Sequence, residues 1–82
     1  MAVTRGDGLV YRANGELTAT AIKLLRVLPG RKEPAPPRSL AEIALAAGLG
    51  HDKVRKLSPR MHRLGLTMQD ADGCWRRLVP KP

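Results

Sequence analysis

The densest run of basic side chains lies in residues 48–66, which read GLGHDKVRKLSPRMHRLGL. Five cations fall within this stretch: Lys53, Arg55, Lys56, Arg60 and Arg63. Guanidinium and ammonium groups carry a full positive charge and donate several hydrogen bonds, so they pair with phosphate and carboxylate oxygens. The chemistry that this stretch predicts is therefore anion binding.

The residue types that catalytic and metal sites require are few and scattered. Cys74, His51 and His62 lack the paired spacing of metal ligands, and nothing indicates a Cys-His nucleophile pair. The seven carboxylates fall at predicted caps, turns and surface positions, with no pair placed for general acid and base catalysis. No glycine-rich loop precedes a Lys-Ser or Lys-Thr pair, the motif that cradles nucleotide phosphates. We expect no enzyme activity, no metal and no other cofactor.

The whole chain shares the positive charge of this stretch. Its 82 residues carry fifteen Lys and Arg against seven Asp and Glu, a formal net charge of +8. Such a surface favours a polyanionic partner, with nucleic acid ahead of an anionic membrane surface. The length allows one small domain with a modest core and leaves little room for a buried catalytic cavity.

Cysteine usage and hydropathy favour a cytoplasmic location. Cys74 is the single cysteine, so no internal disulfide can form, which suits a reducing cytosol. Residues 1–17 hold no apolar run of signal-peptide length, and no stretch of the chain is apolar over the length of a membrane span. We expect a soluble intracellular protein that does not enter a membrane.

The basic stretch has the periodicity of an amphipathic helix. At about 100° per residue, one apolar stripe about 80° wide runs along it. The stripe consists of Val54, Leu57, Met61 and Leu64. Most of the charged side chains are predicted opposite the stripe or at its flank: Asp52, Lys53, Arg55, Lys56, Arg60, His62 and Arg63. Pro59 lies roughly opposite the stripe, which favours one kinked helix; two helices, with Ser58 as the second N-cap, are the alternative.

Two further helices are predicted before the basic one. The first begins near Thr18 and ends at Pro29-Gly30. Its apolar face consists of Ala21, Ile22, Leu25 and Leu28. The second begins at a capping box formed by Ser39 and Glu42 and ends at Gly48. Its apolar face consists of Leu40, Ile43, Ala44 and Ala47.

The segments between and after the helices are predicted as loops and short strands. Residues 9–13 are predicted as a short strand or the approach to a helix, closed by an Asn14-Gly15 turn. Residues 29–38 are proline-rich and predict a connector whose end pairs as a short strand; a basic arm on a phosphate backbone is the alternative. Residues 66–69 and 74–79 predict two strands around a four-residue turn. Alternation places Trp75 and Arg77 on one strand face and leaves open which face covers the core.

These elements together resemble the bacterial winged helix-turn-helix regulators. The stretch SLAEIALAAGLGHDKV is similar to their helix-turn-helix core, MHRLGL to the end of their recognition helix, and DGCWRRL to the returning strand of their wing. The resemblance covers residues 17–79 and implies an α+β fold: a three-helix winged helix-turn-helix with a small C-terminal β-hairpin wing. Residues 1–16 would then form an N-terminal arm or short strand, and residues 80–82 a tail.

The resemblance also implies double-stranded DNA as the partner, bound with sequence preference by the third helix in the major groove. The family's base-reading positions fall on His51, Asp52, Lys53, Arg55 and Lys56. Its phosphate contacts fall on Arg38, Ser39, Arg60, Arg63 and, in the wing, Arg76 and Arg77. The acidic wing tip, with Asp70 and Asp72, departs from the pattern, and Pro59 would shorten the part of the helix that fits a groove.

The biological role implied is a small transcriptional regulator or the DNA-reading module of a plasmid, phage or translocation system. A single winged helix buries only about 600–1,000 Å² on DNA, so we expect a homodimer or binding to repeated sites. The alternative from another class is a winged-helix protein–protein interaction module. Such a module is expected to expose apolar or aromatic anchors on the third helix, where this sequence places Arg and Lys.

Overall fold

A computed structural model describes residues 8–82 of the chain, and residues 1–7 of the predicted N-terminal arm lie outside the described part. Three helices are followed by one antiparallel hairpin: α1 (Ala19–Val27), α2 (Leu40–Ala47), α3 (His51–Arg63), β1 (Thr67–Gln69) and β2 (Trp75–Arg77). This α+β layout matches a winged helix with a C-terminal β-hairpin wing, so the predicted fold class is confirmed. None of the helices in residues 8–82 has the length and apolar character needed to cross a bilayer.

The segment before α1 makes a tight turn rather than a strand. Tyr11 and Leu17 form a single antiparallel bridge around the predicted Asn14-Gly15 turn, in which Gly15 has a φ of 88°. Thr18 then caps α1, because its Oγ1 accepts a hydrogen bond from the amide of Ala21 at 3.2 Å.

The buried face of α1 differs slightly from the predicted one. Leu24 is fully buried, whereas Ile22, which was expected in the core, is only half-buried. The observed face therefore follows the spacing i, i+3, i+4 and i+7 from Ala21, which is the regular pattern for a helix with one core-facing side.

The helix α2 has both of its predicted ends. At its start, the Ser39 hydroxyl accepts from the Glu42 amide at 3.2 Å and the Glu42 carboxylate accepts from the Ser39 amide at 2.8 Å. At its end, Gly48 adopts the left-handed conformation with a φ of 68°. Ile43 and Ala44 face the core as predicted.

The helix α3 is continuous from His51 to Arg63, with Pro59 inside it and exposed. The alternative of two helices divided at Ser58 is therefore wrong. Proline is tolerated here because the hydrogen bond it removes lies on the solvent side, where water can satisfy the Arg55 carbonyl. Ser58 itself is buried beside the predicted stripe, and Leu64, at the C-cap, is only half-buried.

Replacing this proline should stabilise the domain. Pro59→Ala restores a backbone donor and a residue of high helix propensity, offset in part by a more flexible unfolded chain, and we expect a gain of up to roughly 2 kcal/mol. Urea melts of the variant and the parent measure it. Pro36→Ala is a matched control, because Pro36 is exposed in the loop between α1 and α2 and its loss should be neutral or cost up to about 1 kcal/mol. A Pro59→Ala variant less stable than the parent would contradict the outer-face position.

The wing strands are shorter than predicted and are extended by two isolated bridges. The ladder pairs Thr67 with Arg77 and Gln69 with Trp75, and the regular strands end there. Arg38 bridges Trp75 through hydrogen bonds of 2.7 and 3.1 Å, which confirms the predicted pairing at the end of the 29–38 connector. A further bridge joins Gly30 to Arg77.

The core joins the three helices to the wing and is built almost entirely from aliphatic side chains. Leu24, Leu25, Ile43, Leu57 and Met61 are among its fully buried members. Trp75 contributes the one buried aromatic ring of the described residues, at 4% exposure, and so closes the core from the wing side.

Candidate nucleic-acid interface

The position of α3 in the core determines which of its side chains reach solvent. Val54, Leu57 and Met61 are buried, so the opposite side of the helix faces outward. The exposed polar side chains of α3 are those of His51, Asp52, Lys53, Arg55, Lys56, His62 and Arg63, and Arg60 is half-buried. We call Lys53, Arg55, Lys56 and Arg63 the α3 basic face. The predicted base-reading positions all lie on the exposed part of the helix.

Asp52 and Arg55 form an ion pair on this surface. The Arg55 Nη2 donates to the Asp52 Oδ1 at 3.1 Å, and their side chains are 60% and 82% exposed. An exposed i,i+3 pair of this kind contributes little to stability, so Arg55 can exchange its carboxylate partner for a phosphate or a base edge at small cost. Asp52 also lies in the first turn of α3, where a negative charge interacts favourably with the helix dipole.

The amino end of α2, where Ser39 was predicted to contact a phosphate, is already occupied by its own capping box. The pKa of Glu42 is lowered mainly because its carboxylate accepts the backbone hydrogen bond of Ser39, then by the Ser39 hydroxyl and the nearby Arg38 charge. A phosphate at this position would compete with the Glu42 carboxylate. Arg38 keeps a half-exposed side chain beside it, so Arg38 stays in the candidate interface and Ser39 acts as a cap.

Arg77 does not face solvent, contrary to the expectation that it contacts DNA. It is 7% exposed, and its guanidinium donates to the carbonyl oxygens of Leu28 at 2.6 Å and Val79 at 2.7 Å. Its Nη2 also lies 3.7 Å from the Glu33 carboxylate. Arg77 therefore ties the end of α1, the connector and the chain after β2 to one another, and we remove it from the candidate interface.

Arg76 lies on the other strand face but is only half-exposed. Its Nη1 donates to the carbonyl oxygens of Gly30 at 3.1 Å and Glu33 at 3.2 Å. Both predicted wing cations thus hold the connector, and this use of arginine was missed from sequence. The alternation of the strand indicated two faces, but only the approach of the connector shows what each face contacts.

The wing tip is shaped by an acidic side chain. The Asp70 carboxylate accepts hydrogen bonds from the amides of Asp72 and Cys74, both at 2.9 Å. Both aspartates are exposed, so the tip presents negative charge and does not favour a phosphate backbone. Burial, followed by the charge of Asp70, raises the pKa of the Cys74 thiol.

The rings of His62 and Trp75 pack against each other. The His62 and Trp75 rings meet edge to face with centroids 6.1 Å apart, and His62 Nδ1 lies 3.1 Å from the Thr67 carbonyl oxygen. Because Trp75 is buried, it cannot stack on a nucleic-acid base. Within residues 8–82, no group of three or more His, Cys, Asp or Glu side chains is arranged to hold a metal ion.

A short capped helix, a glycine turn and a second helix with an exposed basic face, followed by a hairpin, define the winged-helix layout. Comparisons with known protein families, with curated proteins and with solved structures give no match to this chain. The geometry and charge of the described residues are therefore the only indications of function.

Proposed function

We propose that this protein binds double-stranded DNA, with α3 in the major groove and with a preference for particular sequences. The observation that carries the proposal is the α3 basic face, which lies opposite the buried stripe of the same helix. A major groove admits one α-helix, and Arg and Lys are the side chains that most often contact guanine edges and phosphates there. Asp52 can orient Arg55 or accept a hydrogen bond from cytosine.

The proposed role is that of a small transcriptional regulator or a DNA-reading module of a plasmid, phage or translocation system, acting in the cytoplasm. The α3 basic face is short, since α3 spans 13 residues and Pro59 interrupts its hydrogen bonding. One domain therefore makes a small interface, and we propose that it acts as a homodimer or on repeated sites.

Selection of bound duplexes from a random pool, followed by a mobility-shift assay, tests the proposal. A recovered sequence motif and a shift on that duplex are the expected results. Retention on heparin without any preference for a duplex would indicate a generic polyanion binder. Weak retention and no shift would contradict DNA binding altogether.

We expect Arg55→Ala and Lys56→Ala each to weaken binding to the selected duplex by about 1–3 kcal/mol, because both side chains lie on the exposed face and can reach base edges. Titration of the selected and a random duplex with each variant measures the effect. Lys23→Ala is the matched control, since Lys23 is exposed on α1, outside this face. Equal losses on both duplexes would reassign Arg55 and Lys56 to phosphate contacts.

A protein-interaction module is the second candidate function, and one observation favours it. Leu45 is 86% exposed on the outer side of α2, more than the other large exposed apolar residues of the described chain, Leu9 and Leu78. A single leucine is a small anchor, whereas stable interfaces bury clusters of apolar and aromatic side chains. The α3 basic face therefore favours DNA over a protein partner.

A further inference from the structure

The connector between α1 and α2 contains a closed turn that displays two cations. The Glu33 amide donates to the Gly30 carbonyl oxygen at 3.2 Å, and the Gly30 amide donates to the Glu33 carboxylate at 2.6 Å. Arg31 and Lys32 occupy the two central positions of this turn, and both are exposed. We call residues 30–33 the connector turn.

The connector turn is held against the wing by the two arginines of β2. Arg76 donates to the carbonyl oxygens at both ends of the turn, and the Arg77 guanidinium lies beside the Glu33 carboxylate. The pKa of Glu33 is lowered mainly by the hydrogen bond from the Gly30 amide and then by the charge of Arg77. A side chain on Gly30 would press on Arg77 and Glu33 at 3.2–3.4 Å, which shows how closely the turn is packed.

The cations of the turn have no acidic partner among the described residues. The nearest carboxylate in sequence, that of Glu33, is bonded to the Gly30 amide, and neither Arg31 nor Lys32 makes an ion pair with the described chain. Two exposed charges on an ordered turn lose less conformational freedom on binding an anion than they would on a loose arm.

The connector turn also has a defined position relative to α3. It is bonded to β2, β2 pairs with β1, and β1 follows α3 after a short turn. The ring contact between His62 on α3 and Trp75 on β2 joins the two elements directly. The connector turn therefore holds a fixed position relative to α3.

We propose that Arg31 and Lys32 form a second DNA contact, which binds backbone phosphates of the duplex held by α3. This inference rests on the proposed DNA-binding function. With Arg38, the connector turn provides the phosphate contacts outside α3, where the wing tip is acidic and the arginines of the wing strand are bonded to the connector. Because phosphates carry no sequence information, the contact adds affinity equally on every duplex.

The test is the double variant Arg31→Ala/Lys32→Ala, titrated with the selected and the random duplex at several salt concentrations. Two lost phosphate contacts should reduce the slope of log affinity against log salt by about 2 and weaken binding roughly 10- to 30-fold near 0.15 M salt on both duplexes. The matched control is Arg12→Ala/Lys23→Ala, which removes the same charge from exposed positions on the N-terminal turn and α1. Its slope should equal that of the parent.

Three results would overturn the inference. If the salt-dependence slope of the Arg31/Lys32 variant equals that of the parent while Lys56→Ala still weakens binding, the connector turn does not contact DNA. The proposed DNA-binding function would then stand without it. If the Arg31/Lys32 variant and the Arg12/Lys23 control lower the slope by the same amount, the loss of affinity comes from the lower net charge and not from a contact at the turn. Failure of the parent protein to shift any duplex would remove both the proposed function and this contact. A thermal melt of each variant matching that of the parent excludes unfolding as the cause.

Discussion

Leu57→Ala is expected to lower the free energy of unfolding by about 2–5 kcal/mol, because it removes a large side chain from the centre of α3 and leaves a cavity. Leu57 is 1% exposed and belongs to the core that joins the helices to the wing. A domain of this length has a total stability of only about 4–12 kcal/mol, so the variant would be partly unfolded near physiological temperature.

Thermal and urea melts of three variants test this result. Lys56→Ala is the adjacent control on the exposed side and should change stability by less than about 0.5 kcal/mol. Leu64→Ala should cost less than Leu57→Ala, since Leu64 is only half-buried at the C-cap of α3. If Leu57→Ala unfolds at the same temperature and urea concentration as the parent, a different side of α3 faces the core. The assignment of the α3 basic face to the exposed side would then be wrong.

Arg77→Ala is expected to lower the free energy of unfolding by about 2–4 kcal/mol. Such a loss would show that Arg77 has a structural role, whereas a DNA-contacting arginine would change binding with little change in stability. The substitution leaves the buried carbonyl oxygen of Leu28 and the partly buried one of Val79 without this donor, and a buried group left unpaired costs about 1–3 kcal/mol. Arg77→Lys keeps the charge but cannot reach several acceptors with one planar group, so it should recover only part of the loss.

Urea melts and DNA titrations on the same Arg77 variants provide the two measurements. Arg63→Ala is the matched control, because this exposed arginine of α3 has no such hydrogen bonds among the described residues and should change stability by less than about 0.5 kcal/mol. If Arg77→Ala melts like the parent but loses DNA affinity, the Arg77 side chain contacts DNA. Arg77 would then leave its buried position when the protein binds DNA.

Local signals in the sequence predicted most of the helical structure. The Ser39-to-Glu42 spacing predicted the capping box, and Gly48 predicted the left-handed end of α2, because both features depend on only a few neighbouring residues. The core side of α3 followed from helical periodicity, since three of its four stripe residues are fully buried. The same periodicity placed Asp52, Arg55 and Lys56 on the outer side of α3, and the structure shows all three exposed.

Sequence reasoning failed where one segment had to be placed against another distant in the chain. It placed Arg76 and Arg77 in a DNA-contacting wing and predicted pairing only for the end of the 29–38 connector, whereas the two arginines bind its first part, at Gly30 and Glu33. The relevant partners lie more than 40 residues apart in the chain, and no local spacing encodes them.

The sequence by itself determined the ends of α2 and the rotation of α3 about its axis, because both depend on residues a few positions apart, and its composition determined the positive net charge. The tertiary structure decided which cations remain free for a ligand. Side chains of β2 alternate between two faces, and local geometry does not distinguish the two. The end of α1 packs over Arg77 and buries it, and the connector accepts hydrogen bonds from Arg76. Burial of a guanidinium requires acceptors from several segments at once, and only the folded chain brings those carbonyl oxygens together.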